Sequence, residues 1–236
     1  MARTIKIDNA LQKRFAKQAK KSKSRKLVTY FLIVCEGEKT EPNYFKSFPK
    51  KAGKFIYDIE FEGGGISTLK VVEKAMELRD KSKLKYDRVW AVFDRDSFKA
   101  NSFNSAILKA KANNIGCAWS NEAFELWYLL HFHNRFTAMR REEYRKAIED
   151  AVNAKLGNKK NTFRYKKNET GMYSLLDKIG SQDLAINWAK TLAKSIEGEQ
   201  FANYNPQTMV FKLVEELNGL SEELNDELMK KYEEGQ

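Results

Sequence analysis

The run Leu27–Cys35, LVTYFLIVC, is strongly apolar, and the acidic segment EGEKTE at Glu36–Glu41 follows it directly. A second apolar run, RVWAVF at Arg88–Phe93, leads into the segment DRD at Asp94–Asp96. Short runs of this composition predict β-strands. In open α/β sheets, ligands bind beyond the carboxyl ends of the strands. We therefore expect the acidic residues that follow these two strands to converge at one edge of a sheet.

Strand and helix patterns alternate through the first half of the chain. We predict strands at 27–35, 55–62, 87–93 and 115–119, and helices near 41–51, 66–82, 99–113 and 121–134. This alternation is typical of an α/β protein with a parallel sheet flanked by helices. Right-handed crossovers then place all the strand-to-helix loops on one edge of the sheet.

From about residue 140 the strand patterns stop. We predict helices at 140–155, 170–179, 182–197, 207–219 and 221–233. The fourth has a clear start signal, with Asn205 as the N-cap and Pro206 at the first helical position. The predicted organisation is a basic leader at 1–26, an α/β domain at 27–135 and a helical region at 136–236.

Most of the net charge lies in the leader. The chain has 236 residues, 42% of them hydrophobic, and a formal charge of +11. Residues 1–26 hold ten Lys or Arg against the single acidic residue Asp8, so the remaining body is nearly neutral. Such an arm is a common nucleic-acid-binding device, although a solvated leader is an open alternative. The candidate phosphate-binding cations of the leader are Lys17, Lys20, Lys21, Lys23, Arg25 and Lys26.

Composition also bears on location. The apolar stretch Tyr30–Cys35 is far too short to span a bilayer, and no signal-peptide pattern follows the first basic residues. We expect a cytoplasmic protein that does not insert into membranes. Cys35 and Cys117 are the only cysteines, which argues against a disulfide framework or a Cys-rich zinc site.

The clustered carboxylates predict a metal site. Several carboxylates at one sheet edge repel each other unless a cation neutralises them, and hard divalent cations prefer oxygen ligands. With Mg²⁺ or Mn²⁺, Glu36, Glu41, Asp94 and Asp96 would suit phosphodiester hydrolysis. The alternative is that acidic residues at strand ends only cap the following helices and interact with their dipoles.

Four segments carry a resemblance to a known family. The sequence is similar to the RloB/AbiLii family, and the Glu-Gly and Asp-x-Asp pair also resembles the wider Toprim domain. Together the four segments span most of the chain after the leader. They are IVCEGEKTEPNYF at 33–45, FDRD at 93–96, NEAFELWYLLHF at 121–132 and NPQTMV at 205–210.

The resemblance implies a Toprim-like fold and a role in bacterial defence against phage, often beside an ATPase encoded nearby. It further implies that Glu36, Asp94 and Asp96 serve a metal centre. In the related OLD-type nucleases a further acidic residue follows Glu-Gly, which maps onto Glu41, although this chain has one extra residue in that interval. RNA, including tRNA, and DNA both remain open as substrates.

Glu125 is a further candidate ligand. It lies in the run FELWYLLHF at 124–132, which is apolar on most faces, so a charged residue there needs a partner such as a metal ion or a lysine. The alternative is a first-turn glutamate stabilised by the helix dipole. His131, which closes this run, is expected to be a core residue or to lie behind the metal ligands.

A basic segment between the first two helices of the second half could border the site. Within it, Arg164, Lys166 and Lys167 alternate with Phe163 and Tyr165, so cations and aromatic rings could meet a nucleic-acid strand. A solvated loop is the alternative.

The predicted function is therefore a Mg²⁺-dependent or Mn²⁺-dependent nuclease in anti-phage defence. The main alternative is a non-catalytic nucleotide- or nucleic-acid-binding regulatory subunit of a defence complex. Primase or topoisomerase activity is not expected, because the chain has neither a zinc module nor room for strand-passage domains.

Overall fold

The structure, a computed structural model, describes residues 27–52, 55–63, 67–96, 99–157 and 163–234. The leader and its six candidate cations lie outside these residues. The strands are β1 (Leu27–Cys35), β2 (Lys51–Ala52), β3 (Phe55–Gly63), β4 (Arg88–Asp94), β5 (Gly116–Asn121) and β6 (Gln207–Thr208). The α-helices of the described residues are α1 (Thr40–Lys46), α2 (Thr68–Lys81), α3 (Ala100–Ala112), α4 (Glu125–Leu130), α5 (Arg141–Leu156), α6 (Met172–Ile179), α7 (Gln182–Ala193), α8 (Val210–Leu217) and α9 (Glu222–Glu234).

One sheet organises the protein. Its strand order is β2-β3-β1-β4-β5-β6, and the four central strands β3, β1, β4 and β5 are parallel. The short strands β2 and β6 pair antiparallel at the two edges. Crossover helices connect the parallel strands, as parallel pairing requires. The predicted α/β fold with a parallel sheet and flanking helices is confirmed.

The strand β1 is mostly apolar because helices cover both faces of the sheet. Its alternate side chains point to opposite faces. Phe31, Ile33 and Cys35 pack in the larger core with α1, α4 and the helices of the second half. Leu32 and Val34 pack in the smaller core against α2 and α3. The sheet therefore holds its strand ends rigidly, which fixes the residues that follow them.

The helix α3 shows why the sequence pattern works on the second face. Phe103, Ala106, Ile107 and Ala110 recur at helical spacing, and all four are buried in the smaller core. Several predicted helices are shorter than expected. The helix predicted at 121–134 spans only Glu125–Leu130, because residue 121 ends β5.

The predicted helix start near residue 207 is wrong. Gln207 and Thr208 form β6, which pairs with β5, and α8 begins only at Val210. Buried contacts override the capping signal of Asn205 and Pro206. The Gln207 amide donates to the carbonyl of Leu192 at 2.9 Å, and the Thr208 hydroxyl lies 3.0 Å from that of Ser120.

The helical region contributes this strand to the sheet and also shares the larger core. Phe31 and Trp127 from the first half are buried in the same cluster as Ile148, Ile186 and Val214 from the second. The second half therefore packs directly on the sheet. No helix among the described residues has both the length and the apolar character that a bilayer crossing needs.

Candidate active site

A cavity of about 380 Å³ opens at the carboxyl ends of β1 and β4. All five residues predicted as metal ligands line it, so the structure brings Glu36, Glu41, Asp94, Asp96 and Glu125 together. Exposed Glu38 adds a sixth carboxylate at the rim. The cations that line the cavity are Lys39, Arg141 and Lys167. Among the described residues that line the cavity, carboxylates therefore outnumber cations by two to one.

Neighbouring parallel strands bring Glu36 and Asp94 together. Cys35 of β1 lies opposite Val92 of β4, so Glu36 follows β1 at the level where β4 ends. The Glu36 N–H donates to the Val92 carbonyl at 2.8 Å. The Asp94 N–H in turn donates to Oε2 of Glu36 at 3.0 Å. Two strand ends are thus joined through the first carboxylate of the site.

Gly37 leaves the space that the Glu41 carboxylate fills. A Cβ atom at residue 37 would lie 2.4 Å from Oε2 of Glu41, far inside van der Waals contact. Glu41 is in the first turn of α1 and is buried, and its carboxylate would have to shift to make room for that atom. The Glu-Gly pair therefore has a steric reason: the glycine lets a second glutamate enter the site.

Asp96 lies in the turn after β4. Its φ of +43° is in the left-handed region, which is uncommon for a residue other than glycine. Backbone hydrogen bonds hold this turn, from Arg95 to the Ser120 carbonyl at 2.8 Å and from Asp96 to the Glu122 carbonyl at 3.1 Å. Such strain persists where the surrounding structure over-determines the backbone, and it concentrates at functional sites.

Glu125 begins α4 and is buried, with 4% of its surface exposed. Its Oε1 accepts a hydrogen bond of 2.9 Å from the Tyr165 hydroxyl. The expected need for a partner is therefore met by a tyrosine that is distant in sequence, and not by a lysine. The second carboxylate oxygen is not engaged by this bond.

Arg141 is the functional residue that sequence reasoning missed. It is the first residue of α5, and its Nη1 lies 2.6 Å from Oδ2 of Asp96. Its Nη2 lies 3.8 Å from Oδ2 of Asp94. The only sequence signal is an arginine at the start of a predicted helix, which does not indicate a contact with residues so far away along the chain.

Glu36, Glu41 and Asp94 all resist ionisation in this cavity. Burial raises the pKa of Glu36 from 4.5 to about 7, and repulsion from Glu41 and Asp96 adds to this shift. Burial also raises the pKa of Glu41, and it raises that of Asp94 well above the usual value. Arg141 opposes all three shifts. A further cation in the cavity would favour the ionised forms.

The donor set fits a hard divalent cation. All the candidate ligand atoms are oxygens, and Oδ1 of Asp94 is buried without a hydrogen-bond partner among the described residues. A buried carboxylate oxygen normally has a partner, so this atom points to a missing one. Among the described residues, no three His, Cys, Asp or Glu side chains are arranged in this conformation so that they could hold a metal ion. Arg141 supplies the positive charge in this conformation.

The basic loop borders the cavity, as the sequence suggested. The Thr40 hydroxyl donates to the Lys167 carbonyl at 2.8 Å, and the Asn43 amide donates to the Asn168 carbonyl at 3.4 Å. Lys166 and Lys167 are exposed. Arg164, also exposed, pairs with Glu149 at 3.6 Å. The loop therefore presents cations beside the carboxylates.

The aromatic residues of this loop pack into the protein. Tyr165 is 4% exposed and packs in the core, and Phe163 packs partly buried against it. The expectation that both rings could face a nucleic-acid strand is wrong for Tyr165. Tyr165 anchors the loop, because its ring is buried and its hydroxyl donates a hydrogen bond to Glu125.

His131 is a core residue and does not line the cavity. It is 2% exposed, its Nδ1 lies 2.9 Å from the Trp127 carbonyl, and burial lowers its pKa to about 4. Its imidazole packs edge-on against the Trp127 ring. These contacts fix α4, whose first residue is Glu125.

Comparison with known proteins gives a family. The sequence matches the family described as RloB-like protein over residues 31–217, which includes the whole cavity. Comparisons with curated proteins and with solved structures found no match. Since the match covers most of the chain, the protein belongs to the RloB-like family.

Proposed function

We propose that this protein is a metal-dependent nuclease that hydrolyses phosphodiester bonds in RNA, including tRNA, or in DNA, during bacterial defence against phage. One observation carries the proposal: five carboxylates from separate elements share one cavity, and a buried oxygen of Asp94 lacks a partner within the part of the chain that the structure describes. Carboxylates crowded in this way are unfavourable unless a cation joins them. A bound divalent cation would also supply the chemistry that phosphodiester hydrolysis needs.

Mg²⁺ or Mn²⁺ would be held by Glu36, Asp94 and Asp96, with Glu41 and Glu125 completing the set. When bound, such a cation polarises a phosphate oxygen and lowers the pKa of a water molecule. The order of motifs supports a Toprim-like centre, because Glu-Gly follows β1 and Asp-x-Asp follows the adjacent parallel strand β4.

The chain's own groups then bind and orient the substrate. Lys39 and Lys167 are exposed at the rim, where they can pair with the backbone phosphates of a substrate. Tyr165 holds Glu125 in one orientation, and the Asp94 N–H does the same for Glu36. Fixed carboxylates need no reorganisation as the reaction proceeds.

Cleavage of labelled nucleic acids tests this proposal. Purified protein is incubated with tRNA, single-stranded RNA and DNA in Mg²⁺, Mn²⁺ or chelator. We expect cleavage of at least one substrate with metal and none with chelator. Activity that survives chelation contradicts the metal dependence, and no activity with any substrate even in the presence of its partner contradicts the nuclease function.

A second candidate is a non-catalytic regulatory subunit that binds a nucleotide or nucleic acid. The pairing of Arg141 with Asp96 and Asp94 favours it, because an arginine already neutralises part of the cavity. Under this alternative the protein binds a phosphate-bearing ligand in the presence of chelator and cleaves nothing. Equilibrium binding of labelled nucleotides and oligonucleotides, run beside the cleavage assay, separates the two.

We also propose that the protein acts in the cytoplasm with a partner ATPase encoded nearby. The reason is that an unrestrained nuclease would damage its own host. Co-expression followed by size-exclusion chromatography should show a complex or a change in toxicity. Separate elution together with unaltered toxicity contradicts the partnership.

A further inference from the structure

Starting from the metal-dependent function proposed above, we propose that Arg141 is an exchangeable counter-ion of the site. In the metal-free protein its guanidinium neutralises Asp94 and Asp96. When a divalent cation binds to these carboxylates, Arg141 leaves them and pairs with a substrate phosphate. The residue therefore opposes metal binding in the resting protein and favours substrate binding in the loaded one.

The position of Arg141 supports the first part. Its two terminal nitrogens face the two aspartates of the Asp-x-Asp segment, at 2.6 Å from Oδ2 of Asp96 and 3.8 Å from Oδ2 of Asp94. These are the residues that the proposed function assigns to the metal. A cation ligated by the same oxygens and a guanidinium in this position compete for the same negative charge.

The neutralisation by Arg141 is incomplete. Its contact with Asp94 goes to Oδ2, and Oδ1 of the same carboxylate stays buried with no hydrogen bond from any residue that the structure describes. One positive charge also faces an excess of carboxylates in the cavity. A divalent cation brings twice the charge and can take the free oxygen. The arginine therefore holds the site in a form that a metal ion can replace.

The geometry of α5 leaves the guanidinium able to move while its backbone stays in place. The helix start is fixed by the Glu143 side chain, whose Oε2 accepts from the Arg140 N–H at 2.6 Å. The Arg141 side chain is long and 31% exposed, so it reaches the cavity from its edge. A planar guanidinium has five donors, which suits bidentate pairing with a phosphate.

A purely structural ion pair makes the opposite prediction. If Arg141 only ties α5 to the turn after β4, its removal loosens that turn and weakens metal binding. Under the exchange model, its removal leaves the carboxylates more negative and strengthens metal binding. The sign of the change in metal affinity therefore separates the two roles.

The test measures Mn²⁺ affinity by calorimetry for the wild type, Arg141→Gln and Arg141→Lys. We expect Arg141→Gln to bind Mn²⁺ about tenfold more tightly, the equivalent of one charge-assisted contact. Arg141→Lys should lie between it and the wild type. Arg145→Gln is the matched control, because Arg145 lies one turn further along α5, exposed and paired with Glu149 at 3.3 Å. Its Mn²⁺ affinity should equal that of the wild type.

A second arm follows substrate binding. With Ca²⁺ in place of the active metal, we expect Arg141→Gln to bind a short oligonucleotide about tenfold more weakly than the wild type does. Unfolding curves of each variant show whether it folds. If Arg141→Gln does not fold, the same two affinities are measured on Arg141→Lys.

The outcomes distinguish the two proposals. If the wild type binds Mn²⁺ and Arg141→Gln binds it equally or more weakly, the exchange model is overturned and the metal site stands. Unchanged oligonucleotide binding in Arg141→Gln overturns the phosphate role. If neither the wild type nor any variant binds Mn²⁺, the metal-dependent function fails, and the exchange model fails with it.

Discussion

The N–H of Asp94 donates a hydrogen bond of 3.0 Å to Oε2 of Glu36. The last residue of β4 therefore holds the carboxylate that follows the neighbouring strand β1. This bond ties the Glu-Gly and Asp-x-Asp segments into a single unit. The position of each carboxylate therefore depends on the register of β1 against β4, which pairs Cys35 with Val92. A substitution at Glu36 or at Asp94 should therefore shift the carboxylates of both residues.

Removing one of these charges tests the chemistry. Asp94→Asn and Glu36→Gln keep the side-chain size, and each should weaken Mg²⁺ binding and lower the cleavage rate by about 100-fold or more, the effect of losing about 2.7 kcal/mol of transition-state stabilisation. Folding should survive, because repulsion among the buried carboxyls is relieved. Single-turnover cleavage, calorimetry and thermal unfolding give the three measurements.

Two controls accompany these variants. Asp150→Asn removes an exposed carboxylate on α5 that pairs with Lys146, and its activity should match the wild type. Glu38→Gln removes the exposed carboxylate at the rim and should have a small effect. Wild-type cleavage by both Asp94→Asn and Glu36→Gln would rule out the nuclease assignment.

The space left by Gly37 gives a second prediction. In Gly37→Ala the new Cβ would meet Oε2 of Glu41 at 2.4 Å, so the Glu41 carboxylate must leave its position. We expect weaker Mn²⁺ binding with a retained fold, measured by calorimetry and circular dichroism. Gly171→Ala is the control, because its Cβ meets only the Glu169 side chain at an ordinary 3.5 Å. Equal Mn²⁺ affinity in both variants would show that Glu41 is not a ligand.

The raised pKa of Glu36 predicts how stability changes with pH in the metal-free protein. Between about pH 4.5 and about pH 7 the folded protein keeps a proton on Glu36 that the unfolded chain has released. The folded state binds more protons in this window, so its stability falls as the pH rises. In chelator, the melting temperature of the wild type should therefore fall more steeply from pH 5 to pH 8 than that of Glu36→Gln. Parallel curves for the two proteins would contradict the raised pKa.

The basic leader gives a prediction that concerns binding alone. Deleting residues 1–26 removes +9 of the net charge of +11, so nucleic-acid binding should weaken and its salt dependence should flatten. Mn²⁺ affinity should be unchanged, since the carboxylate cavity is built from residues after the leader. Titrations at several salt concentrations measure the slope. An unaltered slope would mean that the leader does not contact phosphates.

Local pattern was sufficient to predict the central strands and the carboxylates at their ends. The run Leu27–Cys35 was placed at its observed bounds, because burial on both sheet faces requires continuous apolar side chains. Strand ends in a parallel sheet then share one edge, so the convergence of Glu36 and Asp94 followed from strand prediction alone. Glu125 could be selected because a charge within an apolar helix needs a partner.

The remaining features of the site and the sheet depend on contacts between segments that are distant in sequence. Arg141 reaches Asp96, Tyr165 reaches Glu125, and β6 joins β5, yet each pair is far apart in the chain. Periodicity and capping signals report the environment of one segment and carry no information on which distant segment lies beside it. The carboxylates were therefore readable from the sequence, whereas the cation that faces them and the tyrosine that orients them depend on how the second half packs on the sheet.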